Sequence, residues 1–391
     1  MRCGLEVLLE DPSALMGANV GLCCNHTSVD HQFRHAIDLL VYGGVNLKRL
    51  LGPEHGVRAT AQDMEEVGEV TDSVTGLPTV SLYGRTSASL HPQPDTLSDL
   101  DILLFDIQDI GARYYTYQAT LGFLMEVAGT VDTEVWVLDR PNPIDGVHVE
   151  GNVVEDGFAS FVGAYPIAIR HGMTVGELAG YFRRFCDVEC ETKVVKCEGW
   201  SRELWFDQHD LPWVYPSPNM PTLETATIYP GMCLVEATNL SEGRGTTKPF
   251  HLVGAPWIDP RRFARLCDQG AAEAGLEGVC FRPAAFKPGF QKHANVNCGG
   301  VEVHVVNRLA LNSTLLGMVV LEAALRCDEE HFGWRTEPYE FVSDPPAIDL
   351  LTGSAEYRRA LESLRSVREV LDGWEGARGA FLHRRSECLL Y

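Results

Sequence analysis

The sequence predicts an α/β fold: a Rossmann-like, mostly parallel sheet in the N-terminal domain, joined to a smaller α+β C-terminal domain. Three observations carry this. Four short apolar runs, at 20–24, 47–51, 101–105 and 135–138, are nearly continuous in hydrophobicity, as strands buried on both faces of a parallel sheet are. Helix-like segments separate them. Each run then breaks into a polar cluster, respectively Asn25-His26-Thr27, Gly52-Pro53-Glu54-His55-Gly56, Asp106-Ile107-Gln108-Asp109 and Asp139-Arg140-Pro141-Asn142. Parallel strands share one carboxyl edge, and ligands of open α/β sheets bind in the crevice outside it. Asn25, Glu54, His55, Asp106, Asp109, Asp139 and Arg140 are therefore expected around one crevice, which indicates an enzyme.

Between these strands the pattern predicts helices over 32–43 and 117–129. A loop of some 25 residues follows Glu54, and loops that long in compact domains commonly serve function. Residues 143–173 are irregular and rich in Gly and Pro. A helix begins at Thr174, where Thr174 and Glu177 match a capping box. The proline-dense stretch 211–231 suggests a domain junction, giving a catalytic domain over 1–225 and a cleft-completing domain over 226–391. Beyond it, the sequence predicts a strand at 232–238, a helix at 260–274, strands near 279–286 and 300–306, and helices over 312–327 and 353–372.

At 391 residues the chain exceeds what one core ordinarily supports. Its 54 acidic against 32 basic residues give a formal charge of −22. Nucleic acid is excluded as a partner because phosphate binding needs a basic footprint, and an anionic membrane is disfavoured for the same reason. A small anionic substrate requires locally focused arginines. No apolar run reaches the roughly 18 residues of a membrane span, and the first residues lack a signal-peptide core. The twelve cysteines form no C-x-x-C pair and are expected to be reduced, so a cytoplasmic location is expected. The first strand–helix turn lacks the glycines of a dinucleotide fold, and no cofactor is expected.

Gly52-Pro53-Glu54-His55-Gly56-Val57-Arg58 is the strongest local constellation. Pro53 stiffens the strand exit and Gly56 permits a sharp turn, so Glu54 and His55 sit on a fixed corner. A carboxylate facing a dry crevice suits a general acid; the alternative is a Glu54–Arg58 pair that only steadies the turn. Asp106 and Asp109, followed by Arg113, Tyr115 and Tyr117, combine carboxylates, a cation and aromatic faces, as sugar sites do. Equally, one aspartate could cap a helix. Asp139 and Arg140 read either as an internal ion pair or as ligand contacts. A polar segment runs from Glu236 through Asn239 and Glu242 to Arg244, whose flanking glycines suit backbone shaped around a bound carboxylate. Asp106, Asp109 and His55 gathered round a metal are a rival arrangement, although no H-E-x-x-H or similar ligand spacing is present.

Several of these segments together resemble a known family. They are Gly52-Pro53-Glu54-His55-Gly56, Asp106-Ile107-Gln108-Asp109-Ile110-Gly111-Ala112-Arg113-Tyr114-Tyr115, Leu138-Asp139-Arg140-Pro141-Asn142, Pro216-Ser217-Pro218-Asn219 and Thr238-Asn239-Leu240-Ser241-Glu242-Gly243-Arg244. The chain is similar, from about residue 18 onward, to the NamZ-type exo-β-N-acetylmuramidases, glycoside hydrolase family 171. The resemblance implies a site between the two domains and release of N-acetylmuramic acid from the non-reducing end of peptidoglycan fragments. It also implies that Glu54 is the catalytic glutamate. With His55 orienting it, Asp106, Asp109 and Glu242 become candidates for a second carboxylate, and Arg244, Arg140 and Arg113 for binding the lactyl carboxylate. Asn25, Arg58, Tyr115, Tyr117, Asp139, Asn142, Asn219, Glu236 and Asn239 complete the expected sugar contacts. The alternatives are a non-catalytic muropeptide sensor and a metal-dependent hydrolase of another acidic amino sugar.

Overall fold

A computed structural model describes residues 1–57, 70–72, 74–84 and 86–391. Its strands are β1 (Val20–Cys24), β2 (Leu47–Gly52), β3 (Val70–Thr71), β4 (Pro78–Ser81), β5 (Ile102–Asp106), β6 (Glu134–Leu138), β7 (Glu150–Val153), β8 (Ala168–Arg170), β9 (Thr192–Val195), β10 (Leu252–Ala255), β11 (Val279–Phe286) and β12 (Cys298–Val305). The main sheet has the order β3-β4-β2-β1-β5-β6-β9. Its six strands from β4 to β9 are parallel and β3 is antiparallel to β4.

Alternation explains the sheet. In β1, Cys23 joins one core cluster while Val20, Leu22 and Cys24 join the other. Leu103 and Phe105 of β5, and Val135 and Val137 of β6, share the first cluster, whereas Ile102, Leu104, Trp136 and Leu138 share the second. Side chains with a period of two are apolar on both faces, so the continuous hydrophobicity of these runs follows directly. The strand order reverses at β1, flanked by β2 and β5, and this switch point is where α/β sheets open a crevice.

The second unit holds an antiparallel sheet, β10-β12-β11, against the helix Pro260–Ala274, which in turn packs on the helix Ser313–Cys327. Helix Leu223–Met232 crosses Ser313–Cys327 at backbone contact. A Cβ on Gly231 would lie 1.7 Å from the Ser313 carbonyl oxygen, and one on Gly317 would lie 2.0 Å from that of Gly231.

Four expectations need correction. Residues 232–238 are not a strand: the helix Leu223–Met232 passes into a 3-10 turn over Cys233–Ala237, because a short apolar run fits a buried helix as well as a strand. The helix at 353–372 is broken into Glu356–Glu362 and Val367–Gly373, preceded by Ala347–Thr352, which ends on Gly353 at φ 76°. The helix expected at 32–43 covers Ala36–Tyr42, its first turn capped by the His35 ring. Strands β7 and β8, within the segment read as irregular, and β9 and β10 were not expected. They are three or four residues long, too short to show a period. None of the twelve cysteines is bridged in a disulfide, and ten of them are buried. Among the described residues no helix is long and apolar enough to cross a membrane.

Candidate functional site

Strand β2 ends at Gly52, and the chain turns at once. The Gly56 amide donates to the Pro53 carbonyl at 2.8 Å, with His55 at φ 70° and Gly56 at φ 79°. A side-chain-bearing residue in the left-handed region is uncommon. The turn carries Glu54 into the protein, where it is 7 % exposed and accepts a 2.6 Å hydrogen bond from the Thr116 hydroxyl.

Glu54 and His55 line a cavity whose walls come from both units. The loop after β5 supplies Tyr115 and the start of helix Tyr117–Thr130 supplies Tyr117, packed edge to face with ring centroids 5.0 Å apart. Ser217 and Asn219 come from the proline-rich segment. The far wall holds Tyr229, Glu236, Arg244 and Phe250, together with Tyr339 and Glu340. Arg244 donates to Glu236 at 2.6 Å, lies 3.4 Å from Glu242 and stands 5.2 Å from the centroid of the Phe250 ring. The second Glu236 oxygen accepts from the Tyr339 hydroxyl at 2.8 Å. Burial pushes the Tyr115 and Tyr117 hydroxyls far above the ordinary phenol range, so both remain protonated. The pocket thus presents a hydroxyl-anchored carboxylate, aromatic faces and one guanidinium, which suits a sugar bearing a negative group.

The cavity therefore joins Glu54, His55, Tyr115, Tyr117, Asn219, Glu236 and Arg244, residues far apart in the chain. Asn25 lies behind this wall, its carboxamide oxygen accepting from the Thr27 amide at 2.9 Å and its side chain meeting the Tyr117 hydroxyl. Asp109 also sits behind the tyrosines. One of its oxygens accepts from the Gly111 amide at 2.7 Å and lies 3.4 Å from His171 Nε2, while the other is buried without a protein partner.

The structure places the remaining expected residues elsewhere. Asp106 and Arg140 form a fully buried two-point ion pair, Nε to Oδ1 at 2.6 Å and Nη2 to Oδ2 at 3.0 Å, beside rather than inside the cavity. Arg113 is buried and donates to the carbonyls of Asn152, Ile167 and Leu351 at 2.7, 3.0 and 2.5 Å, stitching the second unit to the first. Asp139 accepts from Thr174 Oγ1, the Gly176 amide and the Tyr391 hydroxyl at 2.7, 2.8 and 2.7 Å; it locks the start of helix Val175–Phe185 to β6. Asn142 donates to the Met173 carbonyl at 3.0 Å and accepts from the Ile144 amide at 3.2 Å. Glu242, 3.1 Å from the Lys292 amine, and Asn239, donating to the His331 carbonyl at 2.7 Å, line an adjoining cleft that shares only Glu236 with the cavity. Arg58 lies outside the described residues.

Among the described residues, no group of three or more His, Cys, Asp or Glu side chains is arranged to hold a metal ion, so the metal arrangement of Asp106, Asp109 and His55 does not form. Thr116, Tyr229, Phe250, Tyr339 and Glu340 were missed. Thr116 stood inside the aromatic motif but carries no signature of its own. Glu340 lies in a segment whose pattern gave no sign of a turn aimed at a pocket.

Models of the N-terminal and C-terminal parts of the exo-beta-N-acetylmuramidase NamZ match residues 20–224 and 227–391. The chain is 40% identical over 393 aligned residues to the peptidoglycan beta-N-acetylmuramidase NamZ of Bacillus subtilis (strain 168), covering 100% of this chain and 91% of that protein. Crystal structures of two DUF1343-family proteins from Bacteroides fragilis NCTC 9343 superpose with TM-scores of 0.88 and 0.76, at 36% and 27% identity. Each comparison covers 100% of this chain and 98% of the other. With a sheet-edge glutamate in a two-unit cavity and family models spanning nearly its whole length, this chain belongs to the NamZ exo-β-N-acetylmuramidase family.

Proposed function

We propose that this protein is an exo-acting glycoside hydrolase that removes N-acetylmuramic acid from the non-reducing end of peptidoglycan fragments. The observation that carries this reading is that buried Glu54 and Arg244 line one cavity. A muramic acid glycoside needs an acid at its glycosidic oxygen and a cation at its lactyl carboxylate. Glu54 gives its proton to the departing oxygen as the C1–O bond breaks through an oxocarbenium-like transition state. Thr116 fixes the carboxyl group at 2.6 Å, and His55, beside it in the turn, constrains its approach. Arg244 takes the lactyl carboxylate. Arg244 also holds Glu236, but it lines the cavity, whereas Arg113 and Arg140, the other arginines considered for that role, do not. The acid thus comes from a catalytic unit at 1–225 and the carboxylate anchor from a unit at 226–391. Twelve cysteines without a disulfide suit a reducing compartment, the cytoplasm, where wall fragments are recycled.

The test is turnover of a MurNAc–GlcNAc disaccharide by wild type and Glu54→Gln. Wild type should release N-acetylmuramic acid, with or without chelator, and the variant should lose about 10²–10⁴-fold in kcat while still binding. Binding without turnover in wild type would instead mean a muropeptide sensor. Loss of activity on chelation would mean a metal-dependent hydrolase.

A further inference from the structure

Arg244 has to take a carboxylate while two carboxylates already stand against it. Glu236 accepts from its Nη2 at 2.6 Å, and Glu242 lies 3.4 Å from its Nε. The cavity also holds Glu54 and Glu340. One guanidinium between two glutamates leaves a net negative charge, and in a buried site that charge repels an incoming anion. A further cation beside the group is needed to offset it.

Lys292 stands there. Its amine is 3.1 Å from Glu242 Oε2, so charge alternates along the row Lys292, Glu242, Arg244, Glu236, and the two cations cancel the two carboxylates. Arg335 and Glu337 line the adjoining cleft as well, one charge of each sign. The Lys292 amine also donates to the carbonyls of Val235, Glu236 and Leu240 at 3.1, 3.2 and 3.0 Å. It therefore holds the backbone that carries Glu236 and leads to Arg244. The Glu242 and Arg244 side chains are nearly buried, so solvent screens the row little.

The backbone delivers this lysine. It lies on the loop between β11 and β12, with Gln291 at φ 60° and His293 at φ 55° on either side. Left-handed residues with side chains are uncommon, persist where their surroundings over-determine them, and concentrate at functional sites. Here the surroundings are the Arg244 segment. The Gly289 amide donates to the Gly245 carbonyl at 2.9 Å, and His293 Nε2 lies 2.8 Å from the Asn239 carbonyl. A Cβ on Gly245 would come within 2.7 Å of the Gly289 and Phe290 amide nitrogens. The loop thus grips the chain before and after Arg244 and brings Lys292 to Glu242.

We propose that Lys292 is a specificity-determining positioning residue: it holds Glu242 and offsets its charge, so that Arg244 accepts the lactyl carboxylate. The inference rests on the reading that Arg244 takes that group, and adds what makes an anion acceptable in an acidic pocket.

The test measures, by calorimetry on the full chain, binding of N-acetylmuramic acid and of its neutral lactyl amide. Lys292→Met keeps most of the length and removes the charge. Its Kd for the acid should rise at least about threefold, as coupling between neighbouring charges predicts, with the amide unchanged. A merely structural lysine would weaken both ligands alike. Adding Glu242→Gln to Lys292→Met restores the balance and should return the acid to within about threefold of wild type. Glu242→Gln alone keeps Lys292 on its carbonyls and leaves an excess cation, so it should bind the acid at least as tightly as wild type. That variant carries the test if Lys292→Met does not fold. A smaller rise in Lys292→Met, equal losses on acid and amide, no recovery in the double variant, or weaker acid binding by Glu242→Gln alone overturns the proposal. Wild type that binds the acid no better than the amide removes the Arg244 reading itself, whereas a selective wild type beside an equally selective Lys292→Met removes only this inference.

Discussion

Glu54 owes its position to a corner of three residues, and its orientation to one hydroxyl. Replacing Thr116 with Val keeps the shape and removes the 2.6 Å bond. A hydrogen bond contributes a net of about 0.5–1.5 kcal/mol, so kcat should drop about 2- to 10-fold with KM little changed, as steady-state kinetics on the disaccharide would reveal. At Arg244 the planar fork matters as much as the charge. Arg244→Lys leaves a cation near Glu236 and removes the two-point geometry that suits a carboxylate. KM for an aryl N-acetylmuramide should rise about tenfold, while an aryl N-acetylglucosaminide, which lacks the lactyl group, should be unaffected. Equal losses on both substrates would mean that Arg244 does not read the lactyl carboxylate. The notable residue-scale outcome is that three of the most conspicuous charged residues are architectural: Asp106 and Arg140 are buried against each other, and buried Arg113 is held by main-chain carbonyls.

Two element contacts set up the far wall and the catalytic sheet. Helix Leu223–Met232 carries Tyr229 and leads to Glu236, and it sits against Ser313–Cys327 through glycine backbones with no room for a methyl group. Gly317→Ala should destabilise the protein by about 1–3 kcal/mol, as overpacking does, and should lower activity by shifting that wall. A urea melt and a rate measurement on the same sample check both. At the other contact, Asp139 joins β6, the start of helix Val175–Phe185 and Tyr391. Burial outweighs its donors and lifts its carboxyl group from 3.8 to about 6. Its folded pKa lies above the unfolded one, so its contribution to stability is complete below about pH 4 and is lost as pH rises through about 6. The Tyr391 hydroxyl favours the ionised form, and Tyr391→Phe should therefore cost about 1 kcal/mol more at pH 8 than at pH 4. Equal costs at both pH values in denaturant unfolding would refute this account.

Over the whole molecule the net charge of −22 means that like charges repel across the surface, while the stabilising ion pairs are in good part buried, as at Asp106–Arg140 and Glu236–Arg244. Salt screens exposed charges far more than buried ones. Raising NaCl from about 0.05 to about 0.5 M should therefore raise Tm by a few degrees. A fall in Tm would show that exposed pairs, not global repulsion, govern stability. The two units are also tied covalently and by Arg113, whose guanidinium reaches Asn152 and Ile167 on one side and Leu351 on the other. That tie holds the wall bearing Arg244 against the wall bearing Glu54.

What the sequence by itself determined was the sheet and the Glu54 corner. Runs such as 20–24 and 102–105 carry no polar side chain, and with their flanking turn residues they read as strands covered on both faces. Parallel order then brings their ends to one edge, which is why Asn25, Glu54 and Asp109 approach the tyrosines without any local contact in sequence. Only the tertiary structure decided which polar residues face the cavity. Asp106, Asp139 and Asn142 stand at the same edge as Glu54, yet their partners, Arg140, Tyr391 and Met173, come from other segments, and pairing across a fold leaves no trace in spacing. Glu340 was hidden for the same physical reason: its turn is held in a left-handed conformation by packing of Phe341 on Tyr83, against the preference of its own residues.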